Sequence, residues 1–400
     1  MNFNHNAQLF ATNSHFENTI NHIHMLQSDK SGSEMLAEVL QKLPALDYLK
    51  IHEEALRRTD QDSGKWYLDS MEFQSWCNGS MEVKGILALG DPGVGKTCLT
   101  SLVIQHLKRL DRPVKVAYIY VQLEGVKLHS LTNIVLTLLK QILKTYDSLP
   151  EYASSFYKQF KLGEDLPIEV LTTTLLGACN DKHTPIYIVF DALDEFKHSH
   201  QGELVTLIKQ LLAAGAWVFA TCRQAYRSIE GLFDPEHCLK HIIRANASDI
   251  NNFLKKRLEG NVLLKSILDD QFQNMIISTI VSNSQEVFLI AAMQFEYISS
   301  LTTKEKITIA ISQIPSDLDA HFDLTLKRIS EQRSDLVELA KMVLMWLLHA
   351  CRPLTATELC HAVGIQVGSN KFSVQGLTSP TMIIQACLGF VTLQKEGDSD

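Results

Sequence analysis

Eight consecutive residues, Gly90-Asp91-Pro92-Gly93-Val94-Gly95-Lys96-Thr97, carry the spacing G-x-x-x-x-G-K-[ST] in full. Glycines at 90, 93 and 95 let the backbone curl with its N–H groups inward, a concave nest for a phosphate that side chains would obstruct. Lys96 adds a mobile cation for the outer phosphates, and the Thr97 hydroxyl stands where it can ligate Mg2+. These eight residues, with Cys98 directly after them, are the expected cofactor-binding set. Further along, the apolar run Ile186 to Phe190 delivers Asp191 to a strand end, and Asp194 and Glu195 follow three and four positions later. Asp191 is placed to hold a metal shell, so Thr97 and Asp191 are the metal candidates. Asp194 or Glu195 could polarise a water beside the last phosphate. Without the glycine loop upstream, a solvated acidic loop would be the plainer reading of these acids. Trp217 to Arg223 is a third apolar run ending in a basic residue, where Arg223 could stabilise phosphate charge. On chemistry alone, an ordinary surface arginine at a strand end fits that position equally well.

Such groups meet only if strands carry them to one edge of a sheet. From Gly85 to about Ala245 the pattern alternates between apolar strand-like runs and helices, which predicts a parallel α/β sheet with helices on both faces. Strands are expected at 85–90, Val114 to Gln122, Ile186 to Leu193, Trp217 to Thr221 and Leu239 to Arg244. Helices are expected at 96–110, 130–145, 151–160, 168–180 and 203–214. The helix after the glycine loop would point its positive N-terminus at the phosphate. Ser33 to Arg58 reads as helical until Pro44 interrupts, and Trp66, Tyr67, Phe73 and Trp76 read as packing against the flank of the sheet. After Asn246 the periodicity is helical, over Ser248 to Leu258, Leu263 to Ser282, Val287 to Ser299 and Leu318 to Ile329. A last region, Leu336 to Leu348, Ala356 to Val363 and Pro380 to Ala386, leads into a strand-like stretch at 389–393. The expected organisation is therefore 1–62 as a polar leader with a helix, 63–245 as the nucleotide domain, 246–335 as a helical domain and 336–400 as a partial winged helix.

Composition narrows the function classes. Four hundred residues call for two or three cores. A formal charge of −8 and a pI near 6.0 argue against a chain built to coat nucleic acid. The longest apolar stretch outside the strands, Met342 to Leu348, is too short to span a bilayer, and the first residues lack a secretory pattern. The eight cysteines contain no C-x-x-C pair and read as small buried hydrophobes in a reducing compartment. A cytoplasmic protein without nucleic-acid or membrane partners is expected.

Together the three chemical segments resemble the NACHT class of signal-transducing P-loop NTPases within the wider STAND group, in particular fungal NACHT and nephrocystin-type N-terminal domains. Gly64-Lys65-Trp66-Tyr67-Leu68 with Phe73 and Trp76 is similar to the lead-in of that family, and Phe190 to Glu195 to its D-[GA]-L-D-E box. Thr221-Cys222-Arg223 is similar to its T-S-R sensor, and Phe288 to Phe295 to its F-L-x-A-x-L-Q segment. Ile314-Pro315 and Arg352-Pro353-Leu354-Thr355 resemble the approach to its winged helix. The resemblance implies a nucleotide-controlled switch, closed with ADP and opened by ATP, that self-associates and recruits protein partners. It assigns phosphate, metal, hydrolytic and sensor roles to Lys96, Thr97, Asp191, Asp194, Glu195 and Arg223, and implies a nucleotide with Mg2+, ATP in preference to GTP, with GTP left as the alternative. The chain departs from the family at Gln285-Glu286-Val287, where a Gly followed by Met or Leu is common, and it stops before the winged-helix strand whose His meets the β phosphate. Neither a repeat array nor an effector module is legible, so the chain is expected to be either short or a piece of something longer. Two other functions stay in play. A metabolic kinase lacks a legible acceptor lid, whereas a non-hydrolysing scaffold, or truncated relic, would fit the abrupt end.

Overall fold

Five apolar runs form β1 (Gly85–Leu89), β2 (Lys115–Tyr120), β3 (Ile186–Asp191), β4 (Trp217–Cys222) and β5 (Cys238–Ile242). All pair in parallel, in the order β2-β3-β4-β1-β5. In this computed structural model, residues 30–44, 48–59, 63–121, 130–161, 166–180, 184–196, 200–224, 229, 233, 236, 238–315, 317–352, 354–365, 377–388 and 390–391 are described. Successive strand side chains point to opposite faces; in β1 to β4 both faces are largely buried, whereas the edge strand β5 leaves Lys240 and Ile242 exposed. Leu87, Leu89, Ile119, Ile188, Phe190 and Ala220 enter one core, while Ile86, Ala88, Tyr118, Tyr187, Val189 and Phe219 enter the other.

Helices α1 (Gly32–Lys42) and α2 (Tyr48–Arg57) are separated at Leu43-Pro44. Leu36 and Val39 of α1 enter the first core and Tyr48 and Ala55 of α2 the second. Part of the segment expected as a polar leader with a helix thus packs into the two cores that flank the sheet. The lead-in aromatics sit on α3 (Lys65–Leu68) and α4 (Met71–Cys77), where Tyr67, Phe73 and Trp76 are all fully buried. They form the expected packing layer, with Trp76 Nε1 donating to Lys84 O at 2.8 Å. The crossovers are α5 (Lys96–Lys108), α6 (Leu131–Leu143), α7 (Ser154–Lys161), α8 (Ile168–Cys179) and α9 (Gln201–Ala213).

Beyond β5 the described chain is helical: α10 (Ala247–Gly260), α11 (Val262–Ile267), α12 (Asp270–Asn283), α13 (Phe288–Ser299) and α14 (Lys304–Gln313) share one core. The single helix expected over 263–282 is two. Leu268 is extended at φ −109°, and Asp269 starts a new helix by accepting from Phe272 N–H. Helix α14 was not foreseen, although Thr303 caps it through Lys306 N–H. Then α15 (Leu318–Ser330), α16 (Ser334–His349), α17 (Ala356–Val363) and α18 (Pro380–Cys387) follow, with a last core running from Ile329 to Cys387. The strand expected at 389–393 lies mostly outside the described residues. Phe390 and Val391, which are described, form bends rather than strand.

Candidate nucleotide site

Parallel register brings the chemical segments to one edge. Leu89 pairs with Cys222, and Phe190 with Ala220, so the loop after β1, the acid ending β3 and the arginine after β4 emerge side by side. Strand β4 stands between β3 and β1, which puts Thr221 between the acid and the glycine loop.

The loop is shaped by its glycines. Gly93 and Gly95 adopt φ of +82° and +94°, where a side chain would be strained. Gly95 caps α5 with no side-chain partner, so the first-turn N–H groups of α5 remain directed at the nest. Asp91 and Pro92 are exposed, while Val94 turns its side chain into the core and contributes backbone alone to the nest. Lys96 Nζ donates to Gly90 O at 2.9 Å and to Asp91 O at 3.0 Å. Burial pushes the Lys96 ammonium down, opposed by Asp194 and Asp191, with Arg223 adding to the depression. Cys98 lies beside Thr59 at the end of α2, and burial pushes its thiol up.

The two halves of the expected metal site touch. Thr97 Oγ1 donates to Asp191 Oδ2 at 2.7 Å. Asp191 is buried; burial pushes its carboxyl up, and the hydroxyls of Thr97, Thr221 and Thr100, then Lys96, hold it down. The donor set suits Mg2+, a hard ion commonly held through a carboxylate, water and phosphate oxygens rather than an all-protein cage. Accordingly, among the described residues no group of three or more His, Cys, Asp or Glu side chains could hold a metal alone.

Asp194 and Glu195 follow a left-handed Ala192 (φ 57°) on a single 3-10 turn, Leu193–Glu195. Gln201 Nε2 braces that turn at Asp194 O and Phe196 O. Arg223 is locked to it: its backbone N–H donates to Asp194 Oδ1 at 2.9 Å, and its Nε lies 3.0 Å from Asp194 Oδ2. Its Nη2 reaches Glu195 Oε1 at 3.5 Å. The Asp194 side chain is 2% exposed against 25% for Glu195. Asp194 therefore anchors the arginine, and Glu195 is the acid left facing solvent.

Three features escaped sequence reasoning. Thr100 and Thr221 also bind Asp191, at 2.8 and 2.7 Å. Thr100 is one turn beyond Thr97, a same-face spacing that could have flagged it. The N-terminus of α13 sits on the glycine loop, with Leu289 N–H donating to Gly93 O at 3.2 Å and the Phe288 ring against Gly95. Gln285 and Glu286, at the departure from the family pattern, both adopt left-handed φ (51° and 61°), and Glu286 O accepts from Ala245 N–H. The third is the long-range bond of Asp249 on α10, a buried acid whose Oδ2 accepts the Gly64 N–H at 2.9 Å and ties the lead-in to the helical unit.

Residues 62–223 match the family model described as Nephrocystin 3, N-terminal. A curated relative, the Vegetative incompatibility protein HET-E-1 of Podospora anserina, is 23% identical over 317 residues, 76% of this chain. That stretch is 23% of the relative's own length. Among solved structures, the Aeropyrum pernix Orc1 protein in complex with DNA is 13% identical, covering 87% of this chain and 85% of its own, at a TM-score of 0.35. AMPPCP-bound DnaA from Aquifex aeolicus is also 13% identical, covering 83% and 89%, at 0.35. The matched stretch holds the glycine loop, the acidic strand tip and the terminal arginine around one parallel sheet, and residues 62–223 are a P-loop NTPase domain of the NACHT type.

Proposed function

We propose that the chain is an ATP-binding signalling switch in which slow, Mg2+-dependent hydrolysis changes how the helical unit sits on the nucleotide domain, and that the opened form self-associates and engages protein partners in the cytoplasm. The observation that carries this reading is the seam at Gly93, where the backbone that would cradle phosphate also bonds the first turn of α13. Charge entering the nest meets that helix directly.

Within the nest, the N–H groups of the glycine loop and α5 bind phosphate oxygens, and Lys96 leaves its two carbonyl partners to neutralise the outer phosphates. Thr97 and Asp191 would hold Mg2+, which when bound supplies charge neutralisation across the outer phosphates. Glu195 accepts a proton from the attacking water, its exposure leaving it within reach of solvent. Arg223 exchanges an acid partner for the last phosphate, which loosens the turn at Asp194. The movement has a path outward. Gln294, buried on the same helix as Leu289, donates to Pro315 O at 2.9 Å and lies 3.2 Å from His321 Nε2 on α15. A shift of α13 is thereby passed toward the C-terminal helices.

ATP binding and turnover by the purified chain test the reading. Tight binding that is lost in Lys96→Ala, with turnover lowered about 100-fold or more in Glu195→Gln at unchanged affinity, is the expected result. Wild-type protein that binds no nucleotide would sink it. A second reading, a nucleotide-binding scaffold that does not hydrolyse, draws on the pairing of Arg223 with both acids, and gains if Glu195→Gln changes neither turnover nor assembly.

A further inference from the structure

The Asp191 carboxylate receives more hydrogen bonds than a phosphate loop requires, and they are distributed unevenly. Among the hydroxyls of the described residues, Oδ2 accepts from Thr97 alone, at 2.7 Å. Oδ1 accepts from two at once, Thr100 Oγ1 at 2.8 Å and Thr221 Oγ1 at 2.7 Å. Both added threonines have no solvent exposure, and they come from different elements, α5 and β4, while the acid ends β3. The Thr221 oxygen also accepts the Ala192 N–H at 2.8 Å, at the point where the chain turns into Asp194 and Glu195.

A carboxylate beside a metal can rotate about its Cβ–Cγ bond and exchange its oxygens, which blurs the geometry that a small octahedral ion demands. Two hydroxyls on one oxygen oppose that rotation. They are neutral donors, so they hold the group without cancelling the negative charge a cation needs. Removing a partner of this kind, one step from the metal, commonly costs about 10–100-fold in metal affinity.

We infer that Thr100 and Thr221 are positioning residues for Mg2+: by fixing Oδ1 of Asp191 from two sides they leave Oδ2, beside the Thr97 hydroxyl, as the oxygen presented to the ion. This rests on the nucleotide reading above. Thr221 has the wider effect, because its bond to Ala192 also sets the start of the acidic turn.

The test is a titration of ATP affinity against Mg2+ concentration, with a parallel arm in EDTA, on the full chain carrying Thr100→Val, Thr221→Val or the corresponding serine. Thr100→Val should raise the Mg2+ concentration at half effect about 10-fold or more while affinity in EDTA stays near wild type, and Thr100→Ser should restore the midpoint. Thr221→Val should do the same and also slow turnover at saturating Mg2+. An unmoved Mg2+ midpoint in either valine variant overturns the inference, as does an equal loss in the EDTA arm, which marks a general structural role. If the valine variants do not fold, a serine variant with a shifted midpoint overturns it and a wild-type midpoint supports it. Wild-type protein that binds no ATP in either arm fails earlier, at the nucleotide reading itself.

Discussion

Gly93→Ala should destabilise the protein more than Gly95→Ala, and the difference measures the seam between the phosphate loop and α13. Both glycines are left-handed, so an alanine at either carries a similar backbone cost of about 1–2 kcal/mol. Their surroundings differ. A Cβ on Gly93 would stand 2.4 Å from Leu289 Cβ, with Leu289 Cδ2 and Val287 Cγ1 at 3.3 Å. Leu289 Cβ is fixed by its helix backbone and cannot rotate aside, so α13 must move or the loop must. Overpacking of that kind adds about 1–3 kcal/mol. A Cβ on Gly95 meets only the edge of the Phe288 ring, at 3.4 and 3.5 Å, which a small ring tilt accommodates. The expected losses are about 2–5 kcal/mol for Gly93→Ala and about 1–2 kcal/mol for Gly95→Ala. Urea unfolding followed by circular dichroism, in nucleotide-free buffer with EDTA, reads these values without a ligand contribution. Limited proteolysis should cut near Gln285 faster in Gly93→Ala alone. Equal destabilisation of the two variants, or a larger loss at Gly95, would refute the seating of α13 on the loop.

Removing the Arg223 side chain leaves the buried Asp194 carboxylate without its cation, so Arg223→Ala should cost about 1–3 kcal/mol after discounting for the 39% exposed arginine; a double-mutant cycle with Asp194→Asn showing no coupling would contradict this. Burial, with Lys108 nearby, pushes His52 down to about 4, and its Nδ1 shares a 2.8 Å hydrogen bond with Tyr120 Oη. Its folded value lies below the unfolded one of about 6.5, so this contribution is whole above 6.5 and is lost as pH falls toward 4, by up to about 1.4 kcal/mol per unit. Urea midpoints at pH 7 and pH 5 should converge in His52→Gln; an undiminished gap would show that His52 is not responsible. Gln285→Gly relieves a left-handed residue and should raise stability by about 0.5–1 kcal/mol, read as a higher melting temperature; a lower one would mean the side chain has an unseen role.

The glycine loop at a helix start and the acid at a strand tip were legible from residue order because they depend on short-range spacing. A glycine loop followed by Lys96 and Thr97 at a helix start, and an apolar run that ends in Asp191, need only a strand and a turn to mean what they mean. Strands β1 to β4 were readable for the same reason, since buried parallel strands are nearly continuous apolar runs, while β5 at the edge carries Lys240 and His241. The break at Asp269 and the helix at Lys304–Gln313 were missed because caps decide them, and a cap outweighs the apolar periodicity around it.

Residue order alone did not settle which acid does what. Asp194 and Glu195 are neighbours in the chain and equal in charge, and both pair with Arg223, yet folding buries Asp194 almost completely and leaves Glu195 partly exposed. Nor did it reveal that Thr100, Thr221 and Asp191 converge, because that depends on β4 lying between β3 and β1, a strand order set by packing across the whole sheet. The contact of Leu289 with Gly93 bridges a far longer stretch of chain than any spacing rule covers. Motifs are written in the sequence because neighbouring residues dictate local backbone shape; the pairing of distant groups belongs to the tertiary structure, where burial fixes which of them meet.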